Sequence, residues 1–266
     1  MRLSRIVVLC VSAAVAAACS SDKISTPSVP TLGGVRFINA VTDTSSVDIR
    51  MIDQVEFSAV ANALAFRAGT EHQPTEAKAR HIRVFPTSTN IAVTQGILLD
   101  TTITIQANTR QTLLLTGSAR AKTLKFVVIS DVTTAPAAGQ YAVRVVNTSP
   151  AAIDAYLVDS VTRAITGTSP TAANVAVLAP TAYVTKAVAN AAAVRTTDAG
   201  VTTTVNASAA APVATVITGA LPAAGVNSEK TVFSVYYFPR GVLGSPQNGV
   251  ATPTVVWFVD RNPADQ

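Results

Sequence analysis

The sequence predicts an all-β protein built as two tandem antiparallel β-sandwich domains behind a signal peptide and a flexible tether. Three observations predict it. First, VRFINA at Val35 returns as VRVVNT at Val143, and each is followed by an apolar run holding two aspartates, VDIRMID (47–53) and IDAYLVD (153–159). Second, the apolar runs are short, rich in β-branched residues and bounded by turn formers, the pattern of strands rather than helices. Third, the Pro-, Ala- and Gly-bearing stretch DVTTAPAAGQ (131–140) separates two halves of similar design.

Residues 1–18 predict an export signal. Arg2 and Arg5 precede the uncharged run IVVLCVSAAVAAA (6–18), and the small residues Ala16 to Ala18 stand before Cys19. Such a run rises about 20 Å as a helix, short of a bilayer core of about 30 Å, so a spanning anchor is the weaker reading. Small residues before a cysteine, with the polar stretch SSDKISTPSVP (20–30) after it, are similar to the lipobox of bacterial lipoproteins. That resemblance implies lipidation of Cys19, although a leucine is usual where Ala16 stands. Cleavage after Ala18 in an ordinary secreted chain is the alternative. Ser20, where an aspartate would retain a lipoprotein at the inner membrane, implies the outer membrane. Residues 19–33 form the lipidated cysteine and tether, too poor in apolar groups to fold.

Two domains follow, 34–135 and 136–266. In the first, TTITIQ (101–106) alternates in the strand manner, with Ile103 and Ile105 on one face. Arg36 and Arg144 face away from the apolar neighbours of their own strands. LLLTG (113–117) is matched to TVITG (215–219), and FVVISD (126–131) to VWFVD (256–260). TVFSVYYF (231–238) reads as a further strand, and the second half carries the extra stretch FPRGVLGSPQNGVATP (238–253). EFSAVANAL (56–64) and TKAVANAAAVR (185–195) are Ala-rich, but their place among strands predicts strand and loop. Cys10 leaves with the signal and Cys19 is taken by lipid, so each domain must stand on its core alone.

The ordered motifs VRFINA…VDIRMID and VRVVNTSP…IDAYLVD, with the central L-T-G strand at Gly117 and Gly219, resemble a bacterial surface domain, domain of unknown function four-three-nine-seven. The resemblance implies an exported, often lipid-anchored chain and two tandem immunoglobulin-like antiparallel β-sandwich domains. It implies no activity, cofactor or ligand.

The candidate chemistry is sparse. Asp48 and Asp53, like Asp154 and Asp159, are an odd number of residues apart, so on a strand they face opposite ways and cannot share one cation. Asp53 and Asp159 read as turn formers. His72 and His81, the two histidines, read as solvated surface residues, without the cysteines a zinc site would want. No Gly-x-Ser-x-Gly elbow and no phosphate loop is written in the sequence. Tyr236, Tyr237, Phe238 and Trp257 read as core packing, with a sugar-stacking platform as the alternative. The sequons at Asn147 and Asn206 are incidental in a bacterial chain. Charged residues are 13% and scattered, and the formal charge of +5 loses two with the leader, which argues against nucleic acid.

These readings lead to a non-catalytic cell-envelope lipoprotein, without catalytic residues, cofactor or metal. Its partners are a membrane through Cys19 and a protein or polysaccharide. Two other functions carry their own tests. A carrier of a small apolar ligand needs an enclosed pocket of about 300 Å³ or more. A polysaccharide hydrolase needs two carboxylates about 5–10 Å apart in a cleft.

Overall fold

The computed structural model describes residues 29–53, 60–131, 134–161, 164–165, 167, 169–215 and 221–265. The first half contains β1 (Leu32–Asn39), β2 (Val47–Met51), β3 (Ala61–Leu64), β4 (Gln73–Glu76), β5 (Ala79–Pro86), a one-turn helix α1 (Ile91–Thr94), β6 (Leu99–Thr104), β7 (Arg110–Thr116) and β8 (Lys125–Asp131). The second contains β9 (Gln140–Asn147), β10 (Ile153–Val158), β11 (Ala172–Val175), β12 (Val184–Ala187), β13 (Ala193–Asp198), β14 (Val205–Ala210), β15 (Val232–Phe238) and β16 (Thr254–Arg261). The strands form four four-stranded sheets with orders β3-β2-β5-β6, β4-β1-β7-β8, β12-β9-β15-β16 and β11-β10-β13-β14. Among the described residues no sheet mixes strands from the two halves.

The side chains put these sheets into layers. Val35, Phe37, Leu113 and Leu115 pack against Val47, Ile49, Ile82 and Val84, closing the first sandwich. Val143, Val145, Phe233 and Val235 pack against Ile153, Ala155, Val194 and Ala207, closing the second. Each valine, leucine, isoleucine or phenylalanine among them contributes about 1.5–3 kcal/mol when fully buried. The alternate residues of the inner strands are also buried. Ile38, Leu114 and Ile129 meet Val146, Tyr236 and Phe238 in a third cluster. The two inner sheets are therefore apolar on both faces and lie back to back, which makes Thr31–Gln266 one compact unit. A strand covered on both sides reads as a continuous apolar run, and VRFIN, LLLT, VRVVN and VFSVYYF are such runs.

The repeated motif residues shape each sandwich locally. Asn39 Nδ2 donates to the Leu64 carbonyl at 3.0 Å while its Oδ1 accepts from Val41 N–H at 3.0 Å. Asn147 repeats both contacts, to the Val175 carbonyl and Ser149 N–H. Ala63 and Asn174 sit at φ 49° and 48° where β3 and β11 slip register against β2 and β10. A bulged residue loses its ladder partner. Asp48 supplies one to Ala63 N–H at 2.8 Å and Asp154 one to Asn174 N–H at 2.6 Å.

The structure adds detail to the sequence reading and corrects one part of it. Each sandwich contains one parallel pair, β1 with β7 and β9 with β15. After β1 the chain places β2 and β3 in the outer sheet, adds β4 to the edge of the inner sheet, completes the outer sheet with β5 and β6, and returns as β7 parallel to β1; β9 to β15 follow the same path. The topological partner of LLLTG is TVFSVYYF, since β15 stands against β9 as β7 stands against β1; the expected partner TVITG (215–219) lies outside the described residues save Thr215. The Ala-rich segments are strand and loop as expected, with residues 56–59 outside the described residues. Finally, 238–253 clasps the first half. Gln247 Nε2 donates to the Thr44 carbonyl at 2.7 Å, Val242 N–H to the Thr42 carbonyl at 3.0 Å, and Arg67 Nη2 to the Pro239 and Thr252 carbonyls at 2.6 Å. Loop 117–124 joins this end, where Asp43 accepts from Ser118 Oγ at 2.5 Å and Ala119 N–H at 2.9 Å.

Gly117 closes β7 at φ +102°, and a Cβ there would stand 2.3 Å from the Thr123 carbonyl oxygen. Gly117→Ala is expected to lower unfolding free energy by at least about 1 kcal/mol, read as an earlier urea midpoint at unchanged slope. An unchanged midpoint would mean that this turn is not held as described.

Candidate functional site

The charged residues of the inner sheets meet at the contact between sandwiches. Arg36 lies on the face of β1 opposite Val35 and Phe37, and Arg144 lies likewise on β9; both are buried. Arg36 Nε and Nη2 donate to Thr112 Oγ1 on the neighbouring β7 at 3.0 and 2.8 Å. The rest of that guanidinium reaches across, with Nη2 on Asp260 Oδ1 at 2.6 Å and Nη1 on the Val259 carbonyl at 3.0 Å. Arg144 does the same in reverse. Its Nε donates to Ser234 Oγ at 2.7 Å, its Nη1 to the Ser130 carbonyl at 2.9 Å and its Nη2 to Asp131 Oδ1. Each arginine thus takes the aspartate that closes the other half.

The carboxylates are held from their own side as well. Thr112 Oγ1 donates to Asp131 Oδ2 at 2.7 Å and Ser234 Oγ to Asp260 Oδ2 at 2.5 Å. A third donor enters ahead of the short strand beside β1 or β9: His72 Nε2 reaches Asp131 Oδ2 at 2.8 Å, and Tyr183 Oη reaches Asp260 Oδ2 at 2.8 Å. Asp260 occupies a register shift between β15 and β16, which aims it inward. Arg36 stacks over Phe258 and Arg144 over Tyr183, at 5.4 and 4.6 Å to the ring centroids. Burial raises the proton affinity of the Asp131 carboxyl. The His72 bond, the Arg36 and Arg144 charges and the Thr112 hydroxyl outweigh burial and hold the carboxyl below its ordinary range. Burial, and next the Asp260 charge, push the Tyr183 phenol up.

The sequence candidates resolve as follows. Asp48 and Asp154 lie on the strand face opposite their core neighbours, buried as backbone braces, and Asp154 Oδ2 also accepts from Gly200 N–H at 2.8 Å. Asp159 forms the expected turn, accepting from Val161 N–H at 2.8 Å. Asp53 sits in a turn and pairs with Arg80 Nη1 at 3.3 Å. His81 is exposed and pairs with Asp100. His72 corrects its expectation: its side chain is 11% exposed and committed to Asp131, because its position beside β1 carries it under the edge of the inner sheet. Tyr236, Tyr237 and Phe238 are buried, with Tyr236 and Phe238 between the sandwiches and Tyr237 in the second core. Trp257 stands edge-on to Phe233 at 5.5 Å. The Asn147 sequon is buried and hydrogen-bonded. Cys19 and Gly219 lie outside the described residues. Sequence reasoning missed the Arg36, Arg144, Asp131 and Asp260 cluster, although its signal was present: a lone arginine opening each half and an aspartate closing it.

Two spaces remain. An apolar cavity inside the second sandwich, lined by Val143, Ala155, Leu157 and Val194 among others, measures about 10 Å³ and is far below what a carried ligand needs. An open cleft of about 360 Å³ lies at the start of β1, between Leu32, Gly33, Gly34, His72, Pro74 and the turn Asn108–Arg110. Among the described residues no group of three or more His, Cys, Asp or Glu could hold a metal, and no helix is long and apolar enough to cross a membrane.

Fold and cluster together define a tandem β-sandwich chain whose repeated signature is structural. Residues 33–157 match the family described as Domain of unknown function (DUF4397), a span that takes in the first sandwich and runs into β10. No curated protein matches the chain. Among solved structures the chain is similar to CBMbc, a family CBM26 module of Amy13K from Eubacterium rectale in complex with maltoheptaose, at 11% identity and TM-score 0.25, over 85% of this chain and 96% of that chain.

Asp131→Asn leaves Arg144 buried without its counter-charge, and the expected loss of stability is about 3–5 kcal/mol in urea unfolding. The wild type carries a matching acid sensitivity. A carboxyl whose folded pKa lies below the unfolded value stabilises fully above the ordinary carboxyl range, and that stability drains as pH falls below about 4. The gap between wild type and Asp131→Asn should therefore narrow on acidification. A gap that widens, or a variant as stable as the wild type at neutral pH, would remove the cluster from its role.

Proposed function

We propose that the protein is a non-catalytic cell-envelope lipoprotein, anchored in the outer membrane through Cys19. Residues 20–33 are its tether, and the domains 34–135 and 136–266 present loops to a protein or polysaccharide partner. The second half is read as a second copy of the domain matched in the first, supported by equal strand orders and by the repeated Asn, Asp and Arg contacts. The observation that carries the reading is where the charged repeat residues are used. Arg36, Arg144, Asp131 and Asp260 neutralise one another between the sandwiches, as an adhesive scaffold requires and a hydrolase's pair of solvent-reaching carboxylates does not. The loops differ between halves where the scaffold does not. Ile91 and Val93 on α1 are 71% and 44% exposed, and Leu243 of the clasp is 76% exposed.

The anchor is tested by substitution. Cys19→Ala should release the protein from the membrane fraction or leave its precursor unprocessed, with labelled fatty acid incorporated by the wild type only. A soluble, unlipidated wild type would end the lipoprotein reading. For the loops, crosslinking on intact cells should capture a partner with the wild type and lose it with Ile91→Ser combined with Leu243→Ser. Equal capture by both would place recognition elsewhere.

A further inference from the structure

The cleft at the start of β1 has a composition that the scaffold role does not use. Its lining residues include Arg110 on β7 and His72 ahead of β4. Each is fixed by one edge only. Arg110 Nη1 is bound to the Asp260 carbonyl and to Asp265 Oδ2, both at 2.7 Å. Its Nε and Nη2 make no hydrogen bond among the described residues, and its side chain is 28% exposed. His72 spends Nε2 on Asp131, and its Nδ1 has no partner among the described residues. Gly34 makes room for this arrangement, since a Cβ there would come within 3.1 Å of Arg110 Cγ. Leu32 and Pro74 give the cleft an apolar rim.

We propose that this cleft binds the carboxylate of a small organic acid, with Arg110 Nε and Nη2 forming the two-pronged contact. A guanidinium presents paired N–H groups at the spacing of two carboxylate oxygens. The same guanidinium already holds one carboxylate by a single contact, Nη1 to Asp265 Oδ2. The apolar rim favours an acid with a hydrocarbon portion over a bare inorganic ion. The site shares Leu32 and Gly33 with the end of the proposed tether, but it uses neither Cys19 nor the exposed loop residues Ile91 and Leu243, so it goes beyond the envelope-adhesion reading.

The test is a nuclear magnetic resonance titration of residues 31–266 with acetate, with a tripeptide having a free C-terminus, with its amidated form, and with inorganic phosphate. Acetate should shift the amides of Gly33, Gly34, Asn108 and Thr109 saturably. Arg110→Gln should weaken that binding by about tenfold or more. Asp265→Asn, which removes the internal carboxylate from Arg110 and leaves the sandwiches intact, should strengthen it. Binding of the free tripeptide but not the amidated one identifies a peptide terminus as an acceptable source; acetate alone limits the site to small acids. The proposal fails if acetate shifts are unsaturable, if neither variant changes the affinity, or if phosphate binds more tightly than acetate.

Discussion

The reciprocal exchange of charges, Arg36 to Asp260 and Arg144 to Asp131, is the constraint on which the layering depends. Burying an ion pair costs several kcal/mol per charge in lost hydration, and only complete pairing offsets that. Pairing here is nearly complete because Thr112, Ser234, His72 and Tyr183 fill the lone pairs that the guanidinium groups leave. Apolar contact between Ile38, Leu114, Val146 and Tyr236 would hold two sheets together at many offsets. Four buried charges permit one offset, since sliding the sheets by a residue would strand all of them.

The same constraint explains the appearance of the repeated motif. In V-R-x-[IV]-N, the first and third residues enter a sandwich core and the fourth the layer between sandwiches. The arginine finds the opposite aspartate, and the asparagine ties its turn to the outer sheet. The aspartate of the following run supplies the hydrogen bond that a bulge leaves missing. Every strongly patterned position therefore has a structural partner, and the motif reports on the fold rather than on a reaction.

Strands, sandwich class and turn-forming Asp159 were legible in the sequence, because periodicity and turn chemistry are local. The face of Arg36 was legible too, as the side away from Val35 and Phe37. Its burial was not. A strand with one polar residue in a run of apolar ones looks half-solvated until a second sheet covers it, and that sheet comes from the other half of the chain. His72 was misread for the same reason: its neighbours in sequence are polar, while Asp131 lies far along the chain. The repeat itself was misaligned at TVITG because the topological match, VFSVYYF, shares burial with LLLT and little of its lettering.

The exchange has the geometry of an isologous contact. Two identical single sandwiches related by a two-fold axis would make both kinds of charge pair with one kind of surface. Carrying both sandwiches in one chain leaves them free to differ. His72 stands where its counterpart is Tyr183, and only the second half carries 238–253. A symmetric pair of separate subunits would have to accept each such change twice, once per subunit, and at both ends of its axis. A joint of this near-symmetric design within one chain thus has two sides that can be tuned independently.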